Sequence, residues 1–257
     1  MIINKIEKLK DNKNKKTIDD EKIVTFDNVI LENNLLYKKV IDKILYDKIV
    51  KDTSYYCLYN KTIKYILKRK RSEKEIVDYL KKEISDVKII DSIISKLKNI
   101  NLINDISYCR SFINDSIYLG KCGIEKIKKE LLSQNIPINI IENELNNFDN
   151  DIFDEKLIKI IVKKIKSNKK YSNNYLKQKI LNEMINLGYK KERVLEIINE
   201  NLIDDDNIIK NEFEKLYKKY SKKYNKDDLY KKIKQNLLTR GFFVEDINYL
   251  IEKNQKD

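Results

Sequence analysis

The sequence predicts a mostly α-helical protein, an elongated, curved tandem array of three-helix repeats behind a small β-containing N-terminal extension. Three observations carry this expectation. Glycine occurs four times and proline once in 257 residues, too few for the many turns of sandwiches, barrels or doubly wound sheets. Charged residues make up 37% and hydrophobic residues 41% of the chain, a mixture suited to amphipathic helices. One pattern also recurs four times: an apolar helix, a break, a large apolar residue and another helix.

Residues 1–53 lie outside the repeat. Ile2, Ile3 and Ile6, then Thr17-Ile18 and Ile23-Val24-Thr25-Phe26, are short β-prone runs. The polar stretch Asp11-Asn12-Lys13-Asn14-Lys15-Lys16 lies between the first two as a hairpin connection would. From Val29 to Val50 the apolar period becomes helical.

The repeats are expected at 54–103, 104–151, 152–204 and 205–257. Their break positions, Glu83, Asn135, Gly188 and Gly241, lie 52, 53 and 53 residues apart. Glycine and asparagine tolerate the left-handed conformation that ends many helices, and the apolar residue that follows supplies the contact such a cap needs. Glu83 departs from that rule. Downstream, Ile89, Ile141, Val194 and Ile247 recur at one offset, followed by Ile93, Leu145, Ile198 and Ile251 along the same helical face. First helices are expected near 55–70, 106–120, 155–168 and 207–222. Ser72-Glu73-Lys74-Glu75 reads as a capping box. Asn104-Asp105, Asp154, Ser172-Asn173, Asp205-Asp206 and Asn225 to Asp228 mark other helix starts.

Composition also narrows function. Histidine is absent, which removes the commonest general base and metal ligand. Cys57, Cys109 and Cys122 form no C-x-x-C, so no zinc site is expected, and they read as core residues of a protein in a reducing cytoplasm. There is no glycine-rich phosphate loop. Asp204-Asp205-Asp206 lacks the alternating ligands of a calcium loop and reads as a helix cap. The first residues turn charged at Lys5, unlike a signal peptide, and no apolar run reaches the roughly 18 residues of a membrane span. A non-enzymatic cytoplasmic monomer without cofactor or metal is expected.

The net charge of +13 favours polyanionic partners, nucleic acid or an acidic protein surface. The segment 104–151 is acidic between basic neighbours. The densest cluster is Lys68-Arg69-Lys70-Arg71, with Lys64 one turn earlier. A second comprises Lys163, Lys164, Lys166, Lys169 and Lys170 with Tyr171. A third comprises Lys218, Lys219, Lys222 and Lys223 with Tyr217, Tyr220 and Tyr224. Each could be a solvated helix face, or a site where lysines meet phosphate and tyrosines stack on bases. The first cluster is favoured as a contact, because its arginines suit carboxylate and phosphate alike and it sits in an inter-helix turn. Reversing Arg69 and Arg71 is accordingly expected to weaken binding without changing helical content.

Three stretches resemble the RecX family of regulatory proteins, which modulate the RecA recombinase. Arg71-Ser72-Glu73-Lys74-Glu75-Ile76-Val77-Asp78-Tyr79-Leu80 is similar to the family's Arg-Ser-x-x-Glu helix. Leu97 to Asn104-Asp105-Ile106-Ser107-Tyr108-Cys109 resembles its Leu-x-Asp-x-x-aromatic-Ala junction, with Cys109 in place of the usual Ala. Gly123-Ile124-Glu125-Lys126-Ile127-Lys128-Lys129-Glu130-Leu131 resembles the Gly-x-x-x-Ile-x-x-Glu-Leu run. Two departures stand out: Asn114 to Cys122 carries only Lys121 where the family has an arginine, and Asn135 replaces a common glycine. The resemblance implies a helical regulator that binds RecA and the RecA–DNA filament, lies in the filament groove and inhibits recombinase activity in recombination and DNA repair. The other reading left open by the residues is a protein that binds single- or double-stranded DNA directly, or a general helical interaction scaffold.

Overall fold

The computed structural model describes residues 1–9, 13–18, 21–203, 205 and 207–256. The chain opens with three antiparallel strands, β1 (Ile3–Lys8), β2 (Lys13–Ile18) and β3 (Glu21–Phe26), in the order β1-β2-β3. Lys13 to Lys16, expected as part of a turn, are instead strand residues. Lys15 pairs with Glu7 on one side and Val24 on the other, so the β-prone runs on both sides supply the backbone ladder that the polar stretch completes. Asp11 and Asn12 lie outside the described residues.

The expected single helical stretch from Val29 to Val50 is two helices. α1 (Asp27–Glu32) ends where Asn34 turns left-handed, φ 52°. α2 (Lys43–Ile66) starts at Asp42, whose side chain accepts from the Leu45 N–H at 2.7 Å. Because Asp42 supplies this cap, α2 runs uninterrupted through residue 53, and the first long helix begins well before the expected position near 55.

The remaining helices are α3 (Glu73–Glu83), α4 (Val87–Asn99), α5 (Asp105–Tyr118), α6 (Ile124–Ser133), α7 (Ile138–Leu145), α8 (Asn150–Lys166), α9 (Asn173–Asn186), α10 (Lys191–Asn201), α11 (Asn207–Tyr220), α12 (Lys226–Leu238) and α13 (Val244–Lys256). Ser72 opens α3 through a complete capping box with Glu75, while Ser172 and Asn225 cap α9 and α12. α8 starts at the Asp149 cap rather than at Asp154, because Asp154 is drawn into the helix and paired with Arg193. In the Asp204–Asp206 run only Asp205 is described; it accepts from the Asn207 N–H at 2.9 Å, as a cap does.

The chain forms two compact units. One comprises Met1–Ser111 with Gln134–Ile140, the other Phe112–Ser133 with Ile141–Asp257. The first has a continuous core running from Phe26 and Val29 through Ile49, Ile76 and Leu80 to Ile93 and Leu97, so the β-rich extension is packed into the same core as α2–α4. Its seam includes Lys96, whose Nζ donates to Tyr56 Oη at 2.7 Å and lies 4.4 Å from that ring's centre and 5.1 Å from that of Tyr59. Tyr56 donates in turn to Glu32 of α1. In the second unit one cluster gathers Leu157, Ile161, Ile180, Met184, Val194 and Ile198. Another gathers Phe213, Leu216, Ile233, Leu237 and Ile247.

Asn135, Gly188 and Gly241 all adopt the left-handed conformation, φ 61°, 83° and 83°, whereas α3 ends through extended Ile84. These three breaks also receive the start of an earlier helix. Ser72 Oγ donates to Gln134 at 2.9 Å. The Gly123 N–H donates to the Leu187 carbonyl at 2.7 Å, and the Ser172 N–H to the Arg240 carbonyl at 3.1 Å. A Cβ on Gly188 would lie 2.3 Å from the Lys126 backbone nitrogen, and one on Gly241 2.7 Å from Ser172 Oγ. Both glycines therefore answer two demands at once, positive φ and close backbone approach.

Candidate functional site

The first basic turn follows the end of α2. Glu75, in the first turn of α3, draws in both arginines. Arg69 donates to its two carboxylate oxygens at 2.5 and 3.3 Å, and Arg71 Nη1 lies 3.5 Å from one of them. The Arg71 side chain is only 14% exposed; its guanidinium lies 4.0 Å from the centre of the Tyr65 ring, which stacks on Tyr79 at 4.3 Å. Cation–π attraction of this desolvated kind contributes about 2 kcal/mol. Lys70 Nζ donates to Ser107 Oγ at 2.8 Å, tying the turn to the start of α5. Lys68 is exposed and has no ion pair among the described residues, and Lys64 is exposed in the last turn of α2. Three of the four clustered cations are thus engaged inside the protein, and Arg71 belongs to its interior.

The second turn occupies the corresponding place between α8 and α9. Here the loop is held by an uncharged side chain. Asn168 Oδ1 accepts from the N–H groups of Lys170 and Tyr171 at 3.3 and 3.0 Å, and its Nδ2 donates to the Tyr171 carbonyl at 2.8 Å. An Asx turn of this kind needs no lysine. Lys169 and Lys170 are exposed and have no carboxylate partner among the described residues, as are Lys163 and Lys166 on the last turn of α8. Among the described residues Lys164 alone of this cluster has an ion pair, to Glu183 at 2.8 Å. Tyr171 stacks on Tyr175 with ring centres 4.9 Å apart, and Lys179 Nζ sits 4.5 Å from the Tyr171 ring centre. A shallow hollow brings Lys164, Lys169, Lys170 and Lys179 around Tyr171, with Glu183 its one carboxylate. Tyr175 and Lys179 were not singled out in the sequence; the i, i+4 spacing from Tyr175 to Lys179 places them together on α9 and was the available signal.

The third cluster repeats the arrangement between α11 and α12. Lys218, Lys219, Lys222 and Lys223 are exposed, Tyr220 meets Tyr224 edge to face at 5.8 Å, and Asn225 caps α12. Between α5 and α6 there is no such turn. Lys156 Nζ instead donates to the Ser116 and Ile117 carbonyls at 3.1 and 2.5 Å, satisfying the end of α5. Of the cysteines, Cys109 is buried as expected of a core residue, Cys122 is half-buried, and Cys57 is exposed, on a face of α2 that the apolar pattern around it did not reveal. Among the described residues no helix is long and apolar enough to cross a membrane.

The arrangement is therefore a helical scaffold with basic turns placed just ahead of the Ser72, Ser172 and Asn225 caps, where the positive end of each helix adds to the lysines. No family model matches the chain. Regulatory protein RecX of Streptococcus gordonii is 28% identical over 188 residues, covering 71% of this chain and 72% of that protein. Regulatory protein RecX of Streptococcus agalactiae serotype Ia is 31% identical over 194 residues, covering 73% and 74%. A crystal structure of regulatory protein RecX superposes with a TM-score of 0.65 at 21% identity, over 77% of this chain and 98% of that one, and so shares the fold. The identity to the streptococcal proteins spans nearly three quarters of both chains, and the chain belongs to the RecX family of regulatory proteins.

Proposed function

We propose that this chain binds the RecA recombinase and the RecA–DNA filament and inhibits recombinase activity in recombination and DNA repair, acting in the cytoplasm as a non-catalytic monomer. Family membership supports the partner. The observation that carries the reading is the recurrence of exposed lysines ahead of three helix caps, which suits a long, periodic, anionic surface. We group α2–α4, α5–α7, α8–α10 and α11–α13 as four three-helix repeats, of which the first, third and fourth carry such a basic turn. The contact residues proposed are Lys64, Lys68, Arg69 and Lys70 in the first repeat and Lys163, Lys164, Lys166, Lys169, Lys170 and Tyr171 in the third; Arg71 supports them from within. Preferential binding to one filament state shifts assembly against disassembly without any reaction.

The test is co-sedimentation with RecA filaments formed on single-stranded DNA, with a DNA-only control. The chain is expected to pellet with filaments and to slow their growth, followed by light scattering. A chain that stays in the supernatant with filaments present contradicts the reading.

A further inference from the structure

We infer that the turn between α8 and α9 is a binding site for single-stranded nucleic acid, with Lys169, Lys170 and Lys179 meeting phosphates and Tyr175 offering a ring to a base. This deepens the reading above, on which it rests for the role of the surface, by naming the chemistry that meets it. Four features of this turn converge. Lys169, Lys170 and Lys179 have no carboxylate partner among the described residues, and Lys170 and Lys179 lie against the Tyr171 ring, so no carboxylate neutralises their charge. The Asn168 side chain holds the loop, so the lysines can move to phosphates without unravelling it. Tyr175 has one face stacked on Tyr171, which fixes the ring, yet the residue remains 41% exposed. The start of α9, capped by Ser172, adds its partial positive charge beside Lys170.

Aromatic rings beside a cationic groove fit unpaired bases, whose faces are open; in a duplex those faces are stacked away. An acidic protein surface would use the lysines but would have no need of the tyrosine pair. The turn between α2 and α3 does not offer the same chemistry, because Arg69 and Arg71 are committed to Glu75 and the Arg71 guanidinium covers the Tyr65 ring.

The test is fluorescence anisotropy of a labelled oligothymidylate titrated with the full chain, without recombinase, over a series of salt concentrations. Lys169→Gln with Lys170→Gln should reduce the slope of log affinity against log salt by about 1.4, the value for two lost single-strand phosphate contacts. Tyr175→Leu should weaken binding about fivefold or more with the slope unchanged. The control pair Lys81→Gln with Lys82→Gln removes the same charge from exposed positions on α3 and should leave the slope nearly intact.

Equal slopes for the two lysine pairs, Tyr175→Leu binding as wild type, or stronger binding to duplex than to single strand would each overturn the site. Filament co-sedimentation of the same variants separates the two readings. A chain that pellets with RecA filaments but ignores oligothymidylate overturns this site and leaves the recombinase reading standing. A chain that binds oligothymidylate through these residues but not the filament does the reverse.

Discussion

The turns at 67–71 and 167–171 occupy the same place in the helical pattern, after a long helix and before a serine cap, yet they spend their charge differently. In the first, Glu75 gathers Arg69 and Arg71 and Lys70 is bonded to Ser107. In the second, Asn168 does the holding and Lys169 and Lys170 stay free. What separates them is the neutral residue in the loop and the carboxylate three residues into the next helix. Charge density in a sequence thus measures how many cations there are, and the nearest carboxylate decides how many are available.

The largest expected effect on folding stability is in the first turn. Arg71→Ala should lower the unfolding free energy by about 2–3 kcal/mol, since it strips Tyr65 of its cation and leaves Glu75 half-paired. Urea unfolding measures this, and a loss of similar size for Lys169→Ala would erase the distinction between the turns. It also revises the expectation for Arg69→Glu with Arg71→Glu: that pair should cost folding stability, so its loss of binding would not report a surface contact.

On binding, the second turn carries the larger effect. Lys169→Glu with Lys170→Glu should weaken filament association by about 2–4 kcal/mol if each lysine makes a charge-assisted contact and the two are partly coupled. Melting should be almost unchanged, because exposed substitutions alter stability by only about ±0.5 kcal/mol. Lys68→Glu with Lys70→Glu should weaken association less in the same co-sedimentation assay. The opposite ranking would mean that the first turn opens on binding.

The two caps offer a finer comparison. Ser172→Ala should cost about 1 kcal/mol and Ser72→Ala up to about 2, because Ser72 completes a capping box and also bonds Gln134. Thermal unfolding of the two variants side by side checks the order.

The smallest effect is a pH dependence in α8, the helix that carries the second turn. Arg193 beside Asp154 holds that carboxyl below the usual aspartate range. The stability from this pair is complete above the ordinary aspartate value near 3.9 and is lost as pH falls through the depressed one. The pair is partly exposed, so solvent screening keeps the loss small. Arg193→Gln should flatten that part of the acid unfolding curve, and an unchanged curve would assign the acid sensitivity elsewhere.

Much of the fold was legible in the residues. Scarce glycine and proline, apolar spacing and the serine and asparagine caps led to the helices, and the left-handed breaks at Asn135, Gly188 and Gly241 were placed by residue type alone. The errors fell where a local signal had a competitor. Asp154 looked like a cap until Arg193 claimed it, and Lys13 to Lys16 looked like a turn until strands on both sides supplied pairing partners. The candidate surface was legible as clusters but not as a site, since Tyr175 and Lys179 reach Tyr171 only once α9 has formed and packed beside the turn.

The sequence by itself determined the helical class, the positions of the breaks and the places where cations collect, because propensity, capping and periodicity act over a few residues. Only the tertiary structure decided which cations remain free. That outcome depends on through-space partners such as Ser107 for Lys70 and Glu183 for Lys164, set 37 and 19 residues away along the chain. Electrostatic pairing is decided over a few ångströms, and packing alone brings such residues within that range.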